Sequence, residues 1–549
     1  MALIIRGRSL LKGSTIIGKR PYAIEGVYNP ALVFDFKNDY YRTDSAATTF
    51  PTAITHAATT NATMVDSDGL LKWRPHNLVK YSEDITNVTN WLVQGSAATT
   101  ATKITEDTTT GYHRFIAAGG NRPTIAALQP HTFSVDIDPA QTRRYCNVAL
   151  GNIWVTLDTD TGLITEEGSY ASWTLVDSSV QTVGGKYRVS VTVTYTSSIA
   201  IVTVVSGSDT ATPGIASPSY LGDGSTIIAT NMHLYRSDLG GMVNNPETGD
   251  SYVRTAGLPI GPELVTNGTF DTATTGWASP RTNSTLSIVA GKLRVTATAS
   301  GAYGVVSAST IAQSGFYKLS VDTVASVANS LLTLRLNVAQ DLNSTNIISE
   351  AMTVGATTNG YAESTTPRYV GVIAVADASG SYFEIDNISF KEIDVNPAVV
   401  RYLPRRNHHV YNGVAWVNEG LLHESEARTN KLTYSEDFSN AAWVATQSTL
   451  ATSAEVGPFS TGQVYSLADN TSASTHHLQD DNLFTADGVM RTWSIYVKQG
   501  TARYIGLTSY SIAYTSTGSS RVIFDTQAGV YTAQGSEADI LHPAVNVGN

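Results

Sequence analysis

Cysteine is nearly absent: Cys146 stands alone among 549 residues, so no disulfide can form within the chain. Its folding is therefore expected in a reducing cytoplasm rather than in a secretory compartment. Charge is also scarce, at 15% of residues against roughly 25% in ordinary soluble proteins. The net charge of −11 is spread thinly, without a basic stripe. Duplex nucleic acid is disfavoured as a ligand on this ground, because phosphate binding needs clustered Lys and Arg. No apolar run approaches the ~20 residues that span a bilayer, so no membrane insertion is expected. The opening Met-Ala-Leu-Ile-Ile-Arg-Gly-Arg lacks the h-region of a secretory signal. No segment carries the heptad period of a coiled-coil shaft.

What fills the gap is Ser, Thr, Ala and Gly, with 42% apolar residues. Such a chain buries sheets and exposes hydroxyls. Its most informative feature is a repeat. Tyr81-Ser82-Glu83-Asp84, followed by Trp91, returns as Tyr434-Ser435-Glu436-Asp437, followed by Trp443. Phe133-Ser134-Val135-Asp136-Ile137 matches Trp493-Ser494-Ile495-Tyr496-Val497. Leu157-Asp158-Thr159 with Gly162 matches Phe524-Asp525-Thr526 with Gly529. Three ordered matches define two copies of one module, the signature of a protein that presents surfaces.

The length requires several cores. Residues 1–75 read as an irregular docking segment, with a strand over 31–36, a Thr/Ala-rich stretch over 45–63 and a turn over 64–71. Its basic residues Arg6, Arg8, Lys12, Lys19 and Arg20 suit a docking arm. Residues 76–238 alternate with period two, as in Tyr187–Tyr195, and predict roughly eight to ten short strands in a β-sandwich. A Gly/Pro/Asn-rich linker, 239–262, leads to a second β-rich unit over 263–394. A second linker, 395–428, leads to a third unit over 429–549. The fold class is all-β: tandem antiparallel sandwiches of jelly-roll type. The third unit has about two dozen residues after its Phe524-Asp525-Thr526 landmark, where the first copy has about eighty. Its completion is expected from another chain, or from a longer sequence.

Two resemblances add to this. The unit over 263–394 resembles a jelly-roll carbohydrate-binding module, through Asn267-Gly268-Thr269-Phe270-Asp271, Gly276-Trp277 and Ile385-Asp386-Asn387-Ile388-Ser389-Phe390. That likeness implies a structural calcium where first and last strands meet, with Asp271 and Asp386 as its carboxylates. The competing explanation is a turn cap and a strand end. The YSED units and linkers resemble tail-fibre and adhesin-like virion proteins of tailed bacteriophages. The residues carrying this are Met64–Leu71, Arg401-Tyr402-Leu403-Pro404-Arg405-Arg406-Asn407-His408-His409 and Gly420–Asn430. Such proteins run without interruption from a turn like Asp238-Leu239-Gly240-Gly241 to the Arg401 stretch, so 263–394 is read as an insertion.

Sugar sites use aromatic faces flanked by polar groups. The inserted unit supplies Trp277, Tyr303, Tyr317, Tyr361 and Tyr382. Tyr303, between Gly301 and Gly304, reads as a loop residue and is the first choice; Tyr361, Tyr382 and Trp277 follow, with Trp277 weighed toward the core. The repeated Trp91 and Trp443 read as packing. His408-His409 and His476-His477 do not chelate as pairs, because adjacent strand residues face opposite ways. No G-x-S-x-G, H-E-x-x-H or P-loop pattern is present, and Asp66, Asp68 and Gly69 read as a turn rather than a calcium loop.

The expectation is a non-enzymatic virion protein, assembled in the host cytoplasm and acting outside it. It is a tail fibre or tail-tip adhesin that docks to other virion proteins through residues 1–75 and holds host surface polysaccharide. As a homotrimer it would gain avidity. A head fibre or capsid decoration is the first alternative, and a depolymerase carrying binding modules the second.

Overall fold

The computed structural model describes residues 32–534 apart from 44–45, 55, 57, 171, 312–314, 329, 365, 413, 424–429, 433, 436, 456–462, 481–493 and 510–519. The basic arm, Arg6 to Arg20, lies outside the described residues. The chain is all-β, its one α-helix a single turn, Phe50–Ala53, among the described residues. It divides into two compact units: residues 57–61 with 75–403, and residues 1–56, 62–74 and 404–549.

The unit over 75–403 contains two sandwiches. In the first, one sheet orders its strands as Leu163–Ser169, Ile153–Asp158, Tyr145–Leu150, Thr203–Ser208, Arg114–Ala117, Trp91–Gln94. The other runs Trp173–Val183, Lys186–Tyr195, His131–Ile137, Thr226–Arg236, Lys103–Glu106, Ser96–Thr100. These two sheets hold twelve strands, more than the sequence pattern suggested. The period-two alternation works as expected: Val189, Val191 and Val193 point inward and are fully buried. They meet Phe133, Val135, Val148, Val155, Phe115 and Trp91 in one core.

The inserted jelly roll has two five-stranded sheets. One orders Trp277–Ala278, Gly301–Ser307, Tyr369–Asp377, Leu332–Asn337, Asn346–Ala351; the other Ser284–Val289, Lys292–Ala297, Tyr382–Ile393, Gly315–Ser326, Thr357–Ser364. Its two ends lie together. Pro259 bridges Ile393, Ile260 donates to the Glu392 carbonyl at 3.0 Å, and Arg254 pairs with Asp394 at 2.6 Å. Adjacent entry and exit are what an insertion requires.

Neither expected linker is a free connector. Val253 and Thr255 in 239–262 are fully buried. Thr255 donates to the Val79 carbonyl at 2.8 Å, and Asn77 donates to the Val253 carbonyl at 2.8 Å. The Gly and Pro content marks turns, while the intervening residues close the first sandwich. In the second linker, Arg401–Tyr402 pairs with His76–Asn77, and Arg406–Tyr411 forms a hairpin with Trp416–Leu421.

In the other unit, the described part of residues 1–56 packs on that hairpin. Val33–Asp35, Tyr40–Thr43 and Ala46–Thr48 form a small sheet. Tyr41 and Phe50 meet edge to face at 5.5 Å, and the Arg406 guanidinium lies 4.7 Å from the Phe50 ring. The expected turn joins Thr63–Val65 to Leu71–Trp73, with Gly69 at φ 80° and Asp66 accepting the Asp68 and Leu70 amides. Gly69 is needed there twice over, since a Cβ would strike the Trp416 indole.

The second YSED copy follows the first in detail. Tyr81 and Tyr434 both take left-handed backbone, at φ 51° and 54°. Each carbonyl accepts the indole N–H of its tryptophan, Trp91 at 3.0 Å and Trp443 at 3.1 Å. Four residues past each tryptophan the chain turns left-handed again, at Gly95 and Gln447, and the carbonyl accepts Nδ1–H of His113 or His476. At the third landmark, Arg144 pairs with Asp158 and Arg503 with Asp525. Thr159 and Thr526 donate amide and hydroxyl to the respective arginine carbonyls. The second landmark is not matched: Trp493 lies outside the described residues, and Ser494–Val497 form no strand where His131–Ile137 is a central one. Tyr504–Ser509 pairs with Ser520–Asp525 and, among the described residues, with no second strand.

Candidate functional site

The aromatic candidates of the inserted jelly roll separate by burial. Tyr303 is not in a loop: it lies in strand Gly301–Ser307, fully buried, its ring 5.5 Å from Phe383. Its glycine neighbour misled the expectation. Gly304 is required because a Cβ would lie 2.3 Å from the Val372 carbonyl of the adjacent strand. Tyr317 is buried and stacked on Phe390 at 4.9 Å. Trp277 is buried against Phe270, with its indole N–H shared between the Thr266 and Asn267 carbonyls at 3.1 and 3.0 Å. A satisfied N–H and a covered ring make it a core residue.

Tyr361 is spent on an internal joint rather than on a ligand. Its ring meets Tyr81 at 5.3 Å and its hydroxyl donates to Asp84 Oδ2 at 2.5 Å. The joint thus ties the jelly roll to the first YSED motif. Glu350 lies in the same region. Burial pushes its carboxyl above the usual carboxylate range, and the Asp84 charge adds to that. Tyr382 is half-buried, with the Arg294 guanidinium 4.2 Å from its ring and Glu384 binding that guanidinium at 2.6 Å.

The two carboxylates expected to hold calcium both have partners within the chain. Asp386 pairs with the Lys292 ammonium at 3.0 Å and caps the Asn387 amide. Asp271 is exposed and accepts the Thr269 hydroxyl at 2.9 Å. Among the described residues no three His, Cys, Asp or Glu side chains converge as metal ligands. One histidine of each pair bonds to the backbone. His408 Nδ1 accepts the Val65 amide at 3.1 Å, and His476 donates from Nδ1 to the Gln447 carbonyl at 2.6 Å.

A concavity lined by polar and charged residues lies in the first sandwich. It is a groove of about 400 Å³ lined by Glu83, Thr102, Asp136, Val183, Gly184, Lys186, Arg188, Thr230, Asn231 and Asp250. Its floor is the buried Asp136 carboxylate, gripped by Arg188 at 2.6 and 2.9 Å and by Asn231 Nδ2 at 2.8 Å. Asn231 reaches it because the strand Thr226–Arg236 bulges there: the pairing register shifts opposite Val135, and Asn231 takes φ 56°. Arg188 also donates to Asp250 at 2.5 Å. Burial alone would lower the Arg188 guanidinium, but its bonds to the two aspartates outweigh this and raise it. Burial alone would raise the Asp250 carboxyl, and Arg188 instead holds it below the usual carboxylate range. The rim is the Gly184–Gly185 hairpin tip, and Lys186 there donates to the Thr230 hydroxyl at 3.2 Å. Sequence reasoning missed this groove. The available signal was Asp136 and Arg188, charged residues inside strands that alternate Phe, Val, Ile and Tyr with Ser and Thr.

No family model and no curated protein matches the chain. Among solved structures it is similar to the N-terminal CBM22-1–CBM22-2 tandem domain of Paenibacillus barcinonensis Xyn10C, at 9% identity and TM-score 0.18, over 62% of this chain and 99% of that one. A mutant of a family 29 carbohydrate-binding module matches at 12% identity and TM-score 0.19, over 24% of this chain and 91% of that one. The enzymatically active domain of bacteriophage CBA120 tailspike protein 4 matches at 15% identity and TM-score 0.18, over 24% of this chain and 21% of that one. Likeness at these identities and scores carries no argument about function.

Proposed function

We propose that the chain is a non-enzymatic structural protein of a tailed-phage virion, a tail fibre or tail-tip adhesin whose β-sandwiches hold host surface polysaccharide. The observation that carries this reading is the repeated YSED body. Tyr81 and Tyr434, Trp91 and Trp443, and His113 and His476 keep one geometry in two places. Repetition of a packing scaffold suits display, in which several weak sites add through avidity. The low charge and hydroxyl-rich surface agree with contact to neutral sugars. Docking to other virion proteins through residues 1–75, trimerisation and action outside the host cell complete the proposal.

Two measurements test it. Labelled protein located by low-resolution imaging of the particle should mark the tail; label on the capsid would replace the tail reading with a head-fibre or decoration role. Incubation with host polysaccharide should retain the polymer without releasing reducing ends. Release of sugar would overturn the non-enzymatic assignment in favour of a depolymerase.

A further inference from the structure

We infer that the groove floored by Asp136 and Arg188 in the first sandwich is a binding site for a neutral, hydroxyl-rich saccharide unit, an assignment that rests on the polysaccharide-holding function proposed above. The floor is an unusual use of buried charge. Asp136 and Arg188 are almost wholly buried, and a buried ion pair contributes little net stability compared with apolar side chains of the same size. Removing two charges from water at the bottom of an open groove makes sense where their orientation matters. Here the orientation is fixed: Arg188 is locked between two aspartates, and a strand bulge presents Asn231 beside them.

The lining matches the chemistry of a sugar ring. Each hydroxyl both donates and accepts, so a fitting site pairs carboxylates with N–H donors at close range. Glu83 and Asp250 supply acceptors, Lys186 and Asn231 supply donors, and Thr102 and Thr230 supply both. Three carboxylates face two cations across the groove, which disfavours phosphate, sulfate or uronate groups. The volume, about 400 Å³, falls in the range of small-molecule sites. No aromatic side chain lines it, so recognition runs through hydrogen bonds rather than stacking.

The test is affinity electrophoresis of the full chain through gels containing dextran, mannan or galactan, with dextran sulfate as the anionic counter-probe. Lys186→Ala removes a rim donor whose side chain is 32% exposed, and Val183→Trp fills the groove from the hairpin. The unaltered chain should be retarded by at least one neutral polymer. Both variants should lose about ten-fold or more in affinity, the scale of a hydrogen bond to a charged group, while their melting temperatures stay unchanged. Retardation that survives both variants but is lost in Tyr382→Ala would overturn the groove and leave polysaccharide holding intact, relocated to the jelly roll. Retardation by dextran sulfate alone would overturn the neutral ligand class. No retardation by any polymer would sink both the groove and the polysaccharide-holding function.

Discussion

The two YSED copies share their hydrogen bonds and differ in what covers them. Tyr81 is 6% exposed, whereas Tyr434 is 54% exposed. Trp91 is fully buried in a core of two six-stranded sheets, while Trp443 meets Phe438 edge to face, at 4.9 Å, and is half-buried. The motif is a local staple: a left-handed tyrosine whose carbonyl receives an indole N–H recurs where both side chains are more exposed. The aspartate adds a second lesson. Asp84 accepts a hydroxyl from Tyr361 of the inserted jelly roll, and Asp437 accepts one from Tyr465 in its own copy, at 2.9 Å. The same carboxylate is served by a phenol in both places, but from different parts of the chain.

Substitution of the tryptophans should separate the copies most strongly. Trp91→Ala should cost about 3–5 kcal/mol of unfolding free energy, as large buried aromatics do. Trp443→Ala should cost roughly half of that or less, because less area leaves water. Equal losses in denaturant titrations would mean that the second copy has a full core after all. Next in size is the phenol joint. Tyr361→Phe leaves the buried Asp84 one donor short, a loss of about 1–3 kcal/mol. A double-mutant cycle with Asp84→Asn should return a coupling energy of that order; additivity would show that the joint contributes nothing.

The smallest effect concerns acid. Bonds from Arg503 hold the Asp525 carboxyl down to about 2. A depressed carboxyl stabilises the fold above its unfolded value and loses that contribution as pH falls toward the folded one. Arg503→Ala should therefore bring the Asp525 titration, followed by NMR, back toward the ordinary carboxylate range. Arg503 is half exposed and the Gln527 and Ala528 amides still serve the carboxylate, so the melting temperature at neutral pH should fall only slightly. An unshifted titration would show that the corner shared with Arg144 and Asp158 is not formed in solution.

Much of this was legible in the sequence, and the gaps have physical causes. Alternation over Tyr187–Tyr195 showed its buried face directly, because one sheet face meets the core. Two of the three repeat landmarks share geometry. Tyr303 was misread because a glycine that admits a neighbouring strand looks, in sequence, like one that makes a loop. Residues 239–262 were misread because turn residues hid Val253 and Thr255, whose burial depends on strands far away in the chain. The groove was invisible for a related reason: Arg188 lies 52 residues from Asp136 and 62 from Asp250. Only the sheet order brings them together.

The side-by-side ends of the jelly roll have a mechanical meaning. A pull along the parent chain enters near Arg254 and leaves near Asp394. Those residues are clamped to each other, so tension crosses the clamp and the hundred-odd residues beyond it hang slack. The inserted domain can stay folded while its host bears the load.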